Sequence, residues 1–410
     1  MAEMMRPSTE GELQSALATL ARQGLPAEIR GAGSKSAIGR PAPQPVVIET
    51  TSLAGITLYE PTELVMSARA GTSLAQIEST LAERGQMLAF EPMDLGPATG
   101  GPGAMQTIGS VFATNFSGAR RIAAGAARDH LLGVRAVNGR GELFKSGGRV
   151  LKNVTGYDVA RALTGSWGTL AVLSEVTFKV LPKPEQTETL VYAGLTDEIA
   201  VELLCEAMGT PFEVSGTVHL TAGLTSRLEL GSLAREAANL TAIRIENFSS
   251  SVAYRVERLR DALKAYGTPV LLAHDTSLSF WSELRRLSVL TPMKGEAPTH
   301  LWRISTTPRL AAKVVDAVRR NMKVEACYDA SGGIIWLEVT ASADAGAADI
   351  RRILSTHGGH ATLIRAEAEV RAGVEVFHPM SSAVERLTTG IKAAFDPARI
   401  LNPGRMYQGV

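Results

Sequence analysis

The sequence predicts an α+β protein with more than one domain, and two observations support this. First, a chain of 410 residues is longer than chains that usually fold around one small hydrophobic core. Second, β-rich segments end at Pro182 and Pro184, and beyond this pair strand-like segments alternate with segments of helical periodicity. Such interleaving favours helices packed on one face of a mostly antiparallel sheet. We therefore expect domains over residues 1–183 and 184–375, followed by a C-terminal segment over residues 376–410.

The composition is that of an ordinary globular chain, with 45% hydrophobic and 20% charged residues. The 42 basic and 41 acidic side chains nearly cancel, so charge does not indicate binding to nucleic acid or to a membrane surface. Cys205 and Cys327 form no CxxC pair, which argues against a zinc site, an iron–sulfur site or a disulfide framework. The first residues lack the apolar segment of a secretory signal, and no apolar run approaches the ~20 residues that span a bilayer. We expect a cytoplasmic protein.

The part before Pro182 is predicted to contain strands and two helices. Leu13 and Leu17 recur at helical spacing, Ser8 or Thr9 would cap that helix, and Thr9 and Glu12 have capping-box spacing. The other predicted elements are a strand ending at Arg30, strands over Val46–Ile48, Leu64–Ala68, Leu131–Val137, Glu142–Lys145 and Leu170–Val180, and an amphipathic helix over Ser73–Arg84. Gly and Pro are frequent in residues 91–109, which predicts a long ordered loop or a lid.

The part after Pro184 alternates between the two kinds of element. Strands are predicted over Leu190–Tyr192, Val214–Leu220, Leu240–Ile245, Leu301–Ile304, Val324–Cys327 and Ile334–Val339. Helices are predicted over Asp197–Met208, Val252–Tyr266, Ser277–Ser288, Arg309–Arg320 and Ala347–His357. The tail is predicted to be a helix followed by FDPARILNPGRMY, whose Asp-Pro and Asn-Pro-Gly signals indicate tight turns.

The loop Arg30–Ser36 reads RGAGSKS and suits an anionic group. Gly31 and Gly33 can adopt positive φ and leave backbone N–H groups free to converge on a phosphate oxygen. Arg30, Lys35 and two serines add side-chain donors. A plain turn is the alternative for a loop of this kind. No G-x-G-x-x-G fingerprint opens a helix here, and no Walker A motif is present in the sequence.

The segment Thr107–Gly118, TIGSVFATNFSG, combines small residues with polar ones. Thr107 is a reasonable helix cap, and residues such as Gly109 and Ser110 would let a ligand lie against the backbone. A helix N-terminus at this point would favour a pyrophosphate. The alternative is a small-residue helix packed tightly against a sheet, which explains the glycines but not the run of Thr, Ser and Asn donors.

Read in order, these segments resemble one superfamily. The chain contains R-G-A-G-S, P-M-D-L-G, T-I-G-S-V-F-A-T-N-F-S-G, K-N-V-T-G-Y-D and G-S-W-G-T-L-A-V-L-S-E-V. This order resembles the FAD-binding domain of the vanillyl-alcohol-oxidase/PCMH superfamily, and within it the FAD-linked 2-hydroxyacid dehydrogenases. The tail FDPARILNPGRMY resembles the C-terminal end of the same branch. The resemblance covers about the first 180 and the last 30 residues well, and the middle only in outline.

The resemblance implies a two-subdomain FAD-binding domain over residues 1–183, an α+β cap domain with an antiparallel sheet over 184–375, and a tail, 376–410, that packs back on the FAD domain. It implies that residues 30–36 hold the pyrophosphate, that residues 92 and 96 lie beside the flavin, and that residue 402 approaches the isoalloxazine. The residues placed around the cofactor are Arg30, Gly31, Ala32, Gly33, Ser34, Lys35, Ser36, Pro92, Gly96, Thr107, Ile108, Gly109, Ser110, Thr114, Asn115, Ser117, Gly118, Gly156, Tyr157, Asp158, Gly168, Thr169, Val172 and Asn402. The early loops contain no histidine or cysteine, so the FAD is expected to be non-covalent.

The catalytic motifs of the branch are missing. Its competent dehydrogenases carry H-x-G-D-G-N-x-H in the cap and E-H-G before the last helix, which suits proton abstraction and metal binding. Here Cys327–Trp336 contains no histidine, and Val376–Ser381 contains His378 but no E-H-G. A structural role for His378 is as reasonable as a catalytic role. His357 and His360 are separated by two glycines, so we expect no metal site.

Two arginines are the other catalytic candidates. Arg285 in FWSELR and Arg303 in LWRIS could face the flavin or a carboxylate, or could pair with surface acids. The tryptophans in the same segments, Trp281 and Trp302, are explained equally well by core packing.

A retained FAD scaffold without the cap histidines resembles the smaller flavin subunits of bacterial glycolate oxidases. This implies an FAD-binding subunit in a hetero-oligomer that oxidises glycolate to glyoxylate. Its partners would be a homologous catalytic flavin subunit and an iron–sulfur subunit that passes electrons to a membrane acceptor, with no nucleic acid and only an indirect membrane link. One alternative is a self-sufficient FAD-dependent 2-hydroxyacid dehydrogenase with a non-standard base. The other is a flavin-free scaffold subunit.

Overall fold

The structure is a computed structural model that describes residues 2–101, 105–149, 156–234, 238–291, 293, 295 and 297–410. The strands are β1 Glu3–Met5, β2 Ala27–Arg30, β3 Val46–Glu49, β4 Ile56–Glu60, β5 Val65–Arg69, β6 Gln86–Met87, β7 Leu131–Asn138, β8 Leu143–Gly147, β9 Ala171–Lys179, β10 Leu181–Pro182, β11 Gln186–Ala193, β12 Val214–Leu220, β13 Leu240–Asn247, β14 Val270–Leu272, β15 Thr299–Ser305, β16 Val324–Asp329, β17 Ile334–Thr340 and β18 His360–Arg365. The helices are α1 Glu10–Gln23, α2 Leu74–Ala82, α3 Gly96–Thr99, α4 Ile108–Thr114, α5 Arg121–Ala124, α6 Ala127–His130, α7 Val159–Leu163, α8 Asp197–Met208, α9 Ala222–Thr225, α10 Gly231–Ala234, α11 Ser249–Ala262, α12 His274–Arg285, α13 Ala311–Arg319, α14 Ala347–His357, α15 Ala368–Gly373 and α16 Ser382–Phe395.

The strands form separate sheets in the N-terminal region (residues 2–182) and the middle region (residues 186–365). In the N-terminal region a parallel sheet has the order β1-β3-β2, an antiparallel sheet has the order β4-β5-β9-β7-β8, and β6 pairs with β10. In the middle region a single antiparallel sheet has the order β14-β11-β13-β12-β16-β17-β15-β18. This α+β arrangement confirms the predicted fold class. The domain boundaries at 183/184 and 375/376 stay predictions.

Helix α1 forms where the sequence provides its ends. Thr9 accepts a hydrogen bond from the Glu12 N–H at 3.2 Å, while the Glu12 carboxylate turns back to the Ser8 N–H at 2.7 Å, so the predicted capping box reaches one residue further. Gly24 ends the helix at a φ of 62°. Leu13 and Leu17 are fully buried in a cluster with β2, β3 and the C-terminal residues Ile400 and Leu401.

The middle region places helices on both faces of its sheet. Leu190 and Tyr192 of β11 face α8 and α11, whose Leu203 and Val256 belong to the same buried cluster. Thr189, the residue before Leu190, points to the opposite face, where its hydroxyl accepts a hydrogen bond from the Nε1–H of Trp281 in α12. The prediction that the helices pack on one face of the sheet was therefore wrong for α12. Helical periodicity shows that a segment has an apolar side, but not which face of the sheet that side covers. That face is the one turned towards the N-terminal region.

A buried network of charges joins the two regions. Glu91 accepts hydrogen bonds from both terminal nitrogens of Arg244 on β13, at 2.9 and 3.0 Å. Arg120 lies 3.1 Å from Glu91 and donates two hydrogen bonds to Glu246. The non-glycine Glu91 has a φ of 49°. Because these side chains are paired and almost fully buried, the network fixes residues 91–92 against the middle sheet.

The chain returns to the N-terminal region at its C-terminus. Leu401 forms a parallel bridge with Ala27 at the start of β2, and the Ala27 N–H donates to the Ile400 carbonyl at 2.7 Å. Lys392 of α16, whose side chain is 1% exposed, donates to Asp396 and to the Thr169 and Leu401 carbonyls. Within the described ranges, no helix is both long and apolar enough to cross a lipid bilayer.

Candidate functional site

A cavity of about 680 Å³, open to solvent, lies between the parallel sheet, α4 and the start of β9. It is lined by Ile29, Arg30, Gly31, Gly33, Ser34, Lys35, Ser36, Thr50, Ala70, Gly109, Ser110, Ala113, Thr114, Ser166, Trp167, Gly168, Ala171, Val172, Leu173 and Arg405. Eleven of these residues are ones that the sequence placed around FAD: Arg30, Gly31, Gly33, Ser34, Lys35, Ser36, Gly109, Ser110, Thr114, Gly168 and Val172.

The loop after β2 is shaped by its glycines. Gly33 has a φ of 84°, in the left-handed region that favours glycine. Gly31 lies so close to Thr107 that a Cβ on Gly31 would overlap the threonine hydroxyl. The backbone of the loop therefore packs directly against the Thr107 side chain, which caps α4.

Three cations face the cavity. Lys35 is only 6% exposed, and its Nζ donates to the Gln106 side chain at 2.7 Å. Burial lowers the pKa of Lys35 to about 8, although the charge of Asp94 opposes the change. The Nε atoms of Arg30 and Arg405 are buried without a hydrogen-bond partner in the part of the chain that the structure describes. Buried donors of this kind favour an anionic ligand that can accept from them.

Helix α4 lines the cavity with Gly109 and Ser110 of its first turn and with Ala113 and Thr114 of the next turn. The N–H groups of Ile108 and Gly109 donate to the Thr72 and Ala70 carbonyls, and that of Ser110 donates to the Thr107 hydroxyl. These three N–H groups therefore already have acceptors within the protein, and the binding of a pyrophosphate at this helix N-terminus stays a prediction. A Cβ on Gly109 would lie 2.7 Å from the Cβ of Ala70, so this helix also packs tightly against β5, as in the structural alternative.

Several predicted site residues do not line this cavity: Ala32, Pro92, Gly96, Thr107, Ile108, Asn115, Ser117, Gly118, Gly156, Tyr157, Asp158, Thr169 and Asn402. Ile108 is fully buried in the core, and Tyr157 is 93% exposed. Ser117 accepts from the Ala127 N–H and Asn115 from the Arg128 N–H, so both hold local turns. The K-N-V-T part of the fourth motif lies outside the described residues.

Asn402 supports the cavity from behind. Its amide donates to the Trp167 carbonyl at 2.7 Å and to the Ile29 carbonyl, and its oxygen accepts from the Ile29 N–H at 2.8 Å. The residue thus fastens the end of β2 to the turn at residues 166–168. Its predicted approach to the isoalloxazine stays a prediction.

Arg405 and Trp167 are two of the nine cavity residues that are absent from the predicted cofactor residues. Arg405 donates to the Lys35 carbonyl at 2.9 Å, and its guanidinium lies 5.5 Å from the centre of the Trp167 ring. Trp167 adopts a φ of 55°, and its ring also contacts Phe377 of the C-terminal segment. Arg405 is the arginine of the N-P-G-R-M-Y tail, so the tail motif could have indicated it as a site residue.

A second, smaller cavity of about 360 Å³ lies between the two regions. It is lined by Glu91, Met93, Gly118, Ala119, Val218, Trp281, Leu284, Arg285, Leu287, Cys327, Asp329 and Trp336. Arg285 donates to the Pro92 carbonyl at 2.7 Å and pairs with Glu78, so it connects α12 to the N-terminal region. Burial raises the pKa of Asp329 to about 6.

The other two catalytic candidates have different environments. The His378 ring accepts from the Ala361 N–H at 3.3 Å and lies 3.1 Å from an Arg351 nitrogen, which are contacts that hold the chain after β18. Burial lowers the pKa of His378, and the charge of Arg351 acts in the same direction. The guanidinium of Arg303 on β15 lies 6.0 Å from the centre of the Phe116 ring and 5.8 Å from the centre of the Trp336 ring. Among the described residues, no group of three or more His, Cys, Asp and Glu side chains could hold a metal ion.

Known proteins with similar sequence and structure agree on the fold and the cofactor. Residues 2–147 match the family model described as FAD binding domain. The chain is 32% identical to the glycolate oxidase subunit GlcE of Escherichia coli (strain K12) over 93% of each chain. It is 25% identical to the glycolate oxidase subunit GlcD of Bacillus subtilis (strain 168), over 74% of this chain and 68% of that one. A structure of p-cresol methylhydroxylase with substrate bound superposes with a TM-score of 0.75 at 14% identity, covering 99% and 88% of the two chains, which shows a shared fold. At this identity and coverage, the chain belongs to the GlcE family of glycolate oxidase subunits, a flavoprotein family with a PCMH-type FAD-binding domain.

Proposed function

We propose that this chain is an FAD-binding subunit of a glycolate oxidase, an oxidoreductase that converts glycolate to glyoxylate. The observation that carries the proposal is the larger cavity, which Arg30, Lys35 and Arg405 line together with the Gly-rich loop 30–36 and helix α4. The family membership supports the choice of FAD and of glycolate. The PCMH-type domain would occupy residues 1–183, and the cap residues 184–375.

The residues of the cavity fit the cofactor. Gly31 and Gly33 allow the loop to lie against a bulky group, and the unpaired Nε atoms of Arg30 and Arg405 would donate to its diphosphate. Lys35 would add a positive charge from a buried position, where electrostatic attraction is stronger than in water. When bound, FAD supplies the electron acceptor for oxidation of a 2-hydroxy acid. No cysteine or histidine lines the cavity among the described residues, so we expect the flavin to be held without a covalent bond.

We propose that turnover requires other subunits. No described histidine occupies the smaller cavity, where a base for a 2-hydroxy acid would be expected. A homologous flavin subunit would then oxidise the substrate, and an iron–sulfur subunit would carry electrons to a membrane acceptor. The chain would act on the cytoplasmic side, in contact with the membrane only through its partners.

Purification of the tagged chain from its native cell tests the proposal. We expect a yellow complex that contains a second flavin subunit and an iron–sulfur subunit and that oxidises glycolate. The chain purified alone should bind FAD but turn over neither glycolate nor D-lactate. Robust turnover by the isolated chain would instead support a self-sufficient 2-hydroxyacid dehydrogenase. A colourless chain that takes up no added FAD would support a flavin-free scaffold.

A further inference from the structure

Arg365 at the end of β18 uses all five N–H groups of its guanidinium, and one of them reaches outside the middle region. Nη1 donates to the Ala98 and Leu290 carbonyls, both at 2.6 Å. Nη2 donates to the Thr299 hydroxyl at 2.8 Å and to Glu338 at 3.2 Å, and Nε donates to the Thr299 carbonyl. The side chain is only 10% exposed. A buried guanidinium held by five hydrogen bonds has one orientation, so Arg365 fixes the position of the Ala98 carbonyl.

Ala98 belongs to the segment 92–101, which begins with the P-M-D-L-G motif and contains α3. Its side chain is fully buried. The start of the same segment is tied to α12, since Arg285 donates to the Pro92 carbonyl at 2.7 Å and the Asp94 N–H donates to the Arg285 carbonyl at 3.2 Å. The middle region therefore holds this segment both at its start and near its end.

The segment 92–101 packs in turn against the loop 30–36 of the larger cavity. Leu95 and Ala98 belong to the same buried cluster as Ile38, which follows that loop in the chain. A Cβ on Gly101 would lie 3.5 Å from the Ser34 carbonyl oxygen, so the backbone of Gly101 approaches the loop closely. A displacement of the segment would therefore be felt at the loop.

Asp94 connects the segment to Lys35 through its charge. The Asp94 side chain accepts a hydrogen bond from the Gly96 N–H at 3.0 Å, so its carboxylate has a fixed place within the segment. Its negative charge favours the protonated form of Lys35, whereas Arg30 and Arg405, which line the same cavity, have the same sign as Lys35. If the segment moved away from the loop, Lys35 would lose its proton more easily and would attract an anion less strongly.

We propose that Arg365 is a positioning residue for the FAD site, and that it makes FAD affinity depend on the docking of the middle region against the segment 92–101. Through the Ala98 carbonyl it holds the segment against the loop 30–36, and it keeps the charge of Asp94 acting on Lys35. A change that moves the middle region, such as the binding of a partner subunit to it, would then alter FAD affinity from a distance. The inference rests on the proposed function for the identity of the cofactor.

FAD titration of the flavin-free chain over a series of pH values tests the proposal. R365M removes all five donors and should weaken FAD binding roughly tenfold, as small misplacements of a binding group do. It should also move the pH at which FAD affinity falls, about 8 for the unmodified chain, to a lower value, because less of the Asp94 charge acts on Lys35. R365K keeps the charge and some of the donors, so it should recover part of both effects.

R255M is the matched control. Arg255 is 8% exposed, and two of its nitrogens donate to the Phe212 and Glu246 carbonyls, which both lie in the middle region. R255M should lower the free energy of unfolding but leave the pH dependence of FAD affinity unchanged. An unchanged FAD affinity in R365M would overturn the proposal. A weaker affinity with an unchanged pH dependence would do the same, because a general loss of stability produces that result.

Two further measurements keep the outcomes apart. If R365M does not fold, R365K and D94N take its place; both should lower the pH at which FAD affinity falls, and an unchanged value in either would overturn the proposal. If the chain takes up no FAD, the proposed function fails, whereas urea unfolding of the flavin-free chain still tests the inference. Its stability rises with pH once the folded chain has lost the Lys35 proton, and this rise should begin at a lower pH in R365M. An identical onset in R365M and the unmodified chain would decide against the inference.

Discussion

Lys35 is buried, faces the cavity and has a lowered pKa. These three properties together indicate a role in cofactor binding. A lysine is seldom buried without a carboxylate or phosphate nearby. Here the protein supplies the Gln106 amide and the more distant charge of Asp94. We infer that the diphosphate of FAD supplies the remaining negative charge that Lys35 needs.

We predict that FAD affinity falls as the pH rises through about 8, because Lys35 then loses its proton and its charge. The stability of the flavin-free chain should change in the opposite direction. Between pH 8 and 10.5 the unfolded chain still binds this proton and the folded chain does not, so this group makes stability rise with pH. Fluorescence titration with FAD and urea unfolding, each across this range, measure the two trends. K35M should abolish both, and an identical pH profile in K35M would contradict the assignment.

Gly31 is predicted to be intolerant of a side chain. In G31A the new Cβ overlaps the Thr107 hydroxyl, which pushes the loop away from α4 and should weaken FAD binding roughly tenfold, as small misplacements of a binding group do. FAD titration gives the ratio. G390A, in the exposed helix α16 with open space around the glycine, should bind FAD normally and be slightly more stable. Equal affinity in G31A and G390A would show that the loop does not contact the cofactor.

Individual residues could be assigned from the sequence only where a motif stated their role. The loop 30–36 lies on the cavity wall as a Gly-rich, basic loop suggests. Ile108 does not, because one residue along a helix rotates the side chain by about 100° and here moves it into the core. The structural role of Asn402 could not be predicted, because its partners Ile29 and Trp167 are far from it in sequence.

At the scale of elements, the C-terminal segment fixes the turn that closes the cavity. Lys392 holds the carbonyls of Thr169 and Leu401 with Asp396 as its counter-ion, and all of these groups are buried. Because each of the three N–H groups of the Lys392 ammonium has an acceptor, the C-terminal segment is held against the N-terminal region at a defined position.

We predict that D396N lowers the free energy of unfolding by about 3 kcal/mol, because it leaves the buried charge of Lys392 without a counter-ion. FAD affinity should fall as well, since the Thr169 carbonyl belongs to the turn at the cavity. Urea unfolding measures the first effect and FAD titration the second. D349N removes the partner of Arg352 in an exposed pair and should change stability by less than about 0.5 kcal/mol. A similar small change in D396N would refute the role of the ion pair.

Elements with strong periodicity and clear ends were predicted well from the sequence. Helices α8 and α14 have the predicted bounds. The Thr196 side chain caps the start of α8, and Gly358 follows the last residue of α14. The edge strands β14 and β18 were missed. The first has only three residues, and the second begins at His360 after two glycines, so neither shows a clear strand pattern. Register was also beyond the sequence, and it is register that places Arg303 opposite Trp336.

At the scale of the molecule, the charge network at Glu91 couples the two regions. Glu91 and Arg244 are 153 residues apart, so no local sequence pattern predicts their contact. The network also constrains Pro92, which the family resemblance places beside the flavin. The relation between the regions is therefore set by a few buried charges as well as by apolar packing.

We predict that E91Q separates the unfolding of the two regions, because Arg120 and Arg244 lose the carboxylate that neutralises both. Scanning calorimetry should show one transition for the unmodified chain and two, with the first at a lower temperature, for E91Q. E213Q removes the exposed partner of Arg255 and should leave the transition in place. One transition at an unchanged temperature in E91Q would mean that apolar contacts alone join the regions.

The central claim is that the cavity between the parallel sheet and α4 binds FAD without a covalent bond, and stoichiometry measures it most directly. The chain is purified, its flavin is removed, and FAD is added back in a titration followed by flavin absorbance, with K35M beside it. The account predicts one FAD per chain, released on denaturation, with weaker binding in K35M. No uptake of FAD, flavin that stays attached after denaturation, or equal affinity in K35M would contradict it.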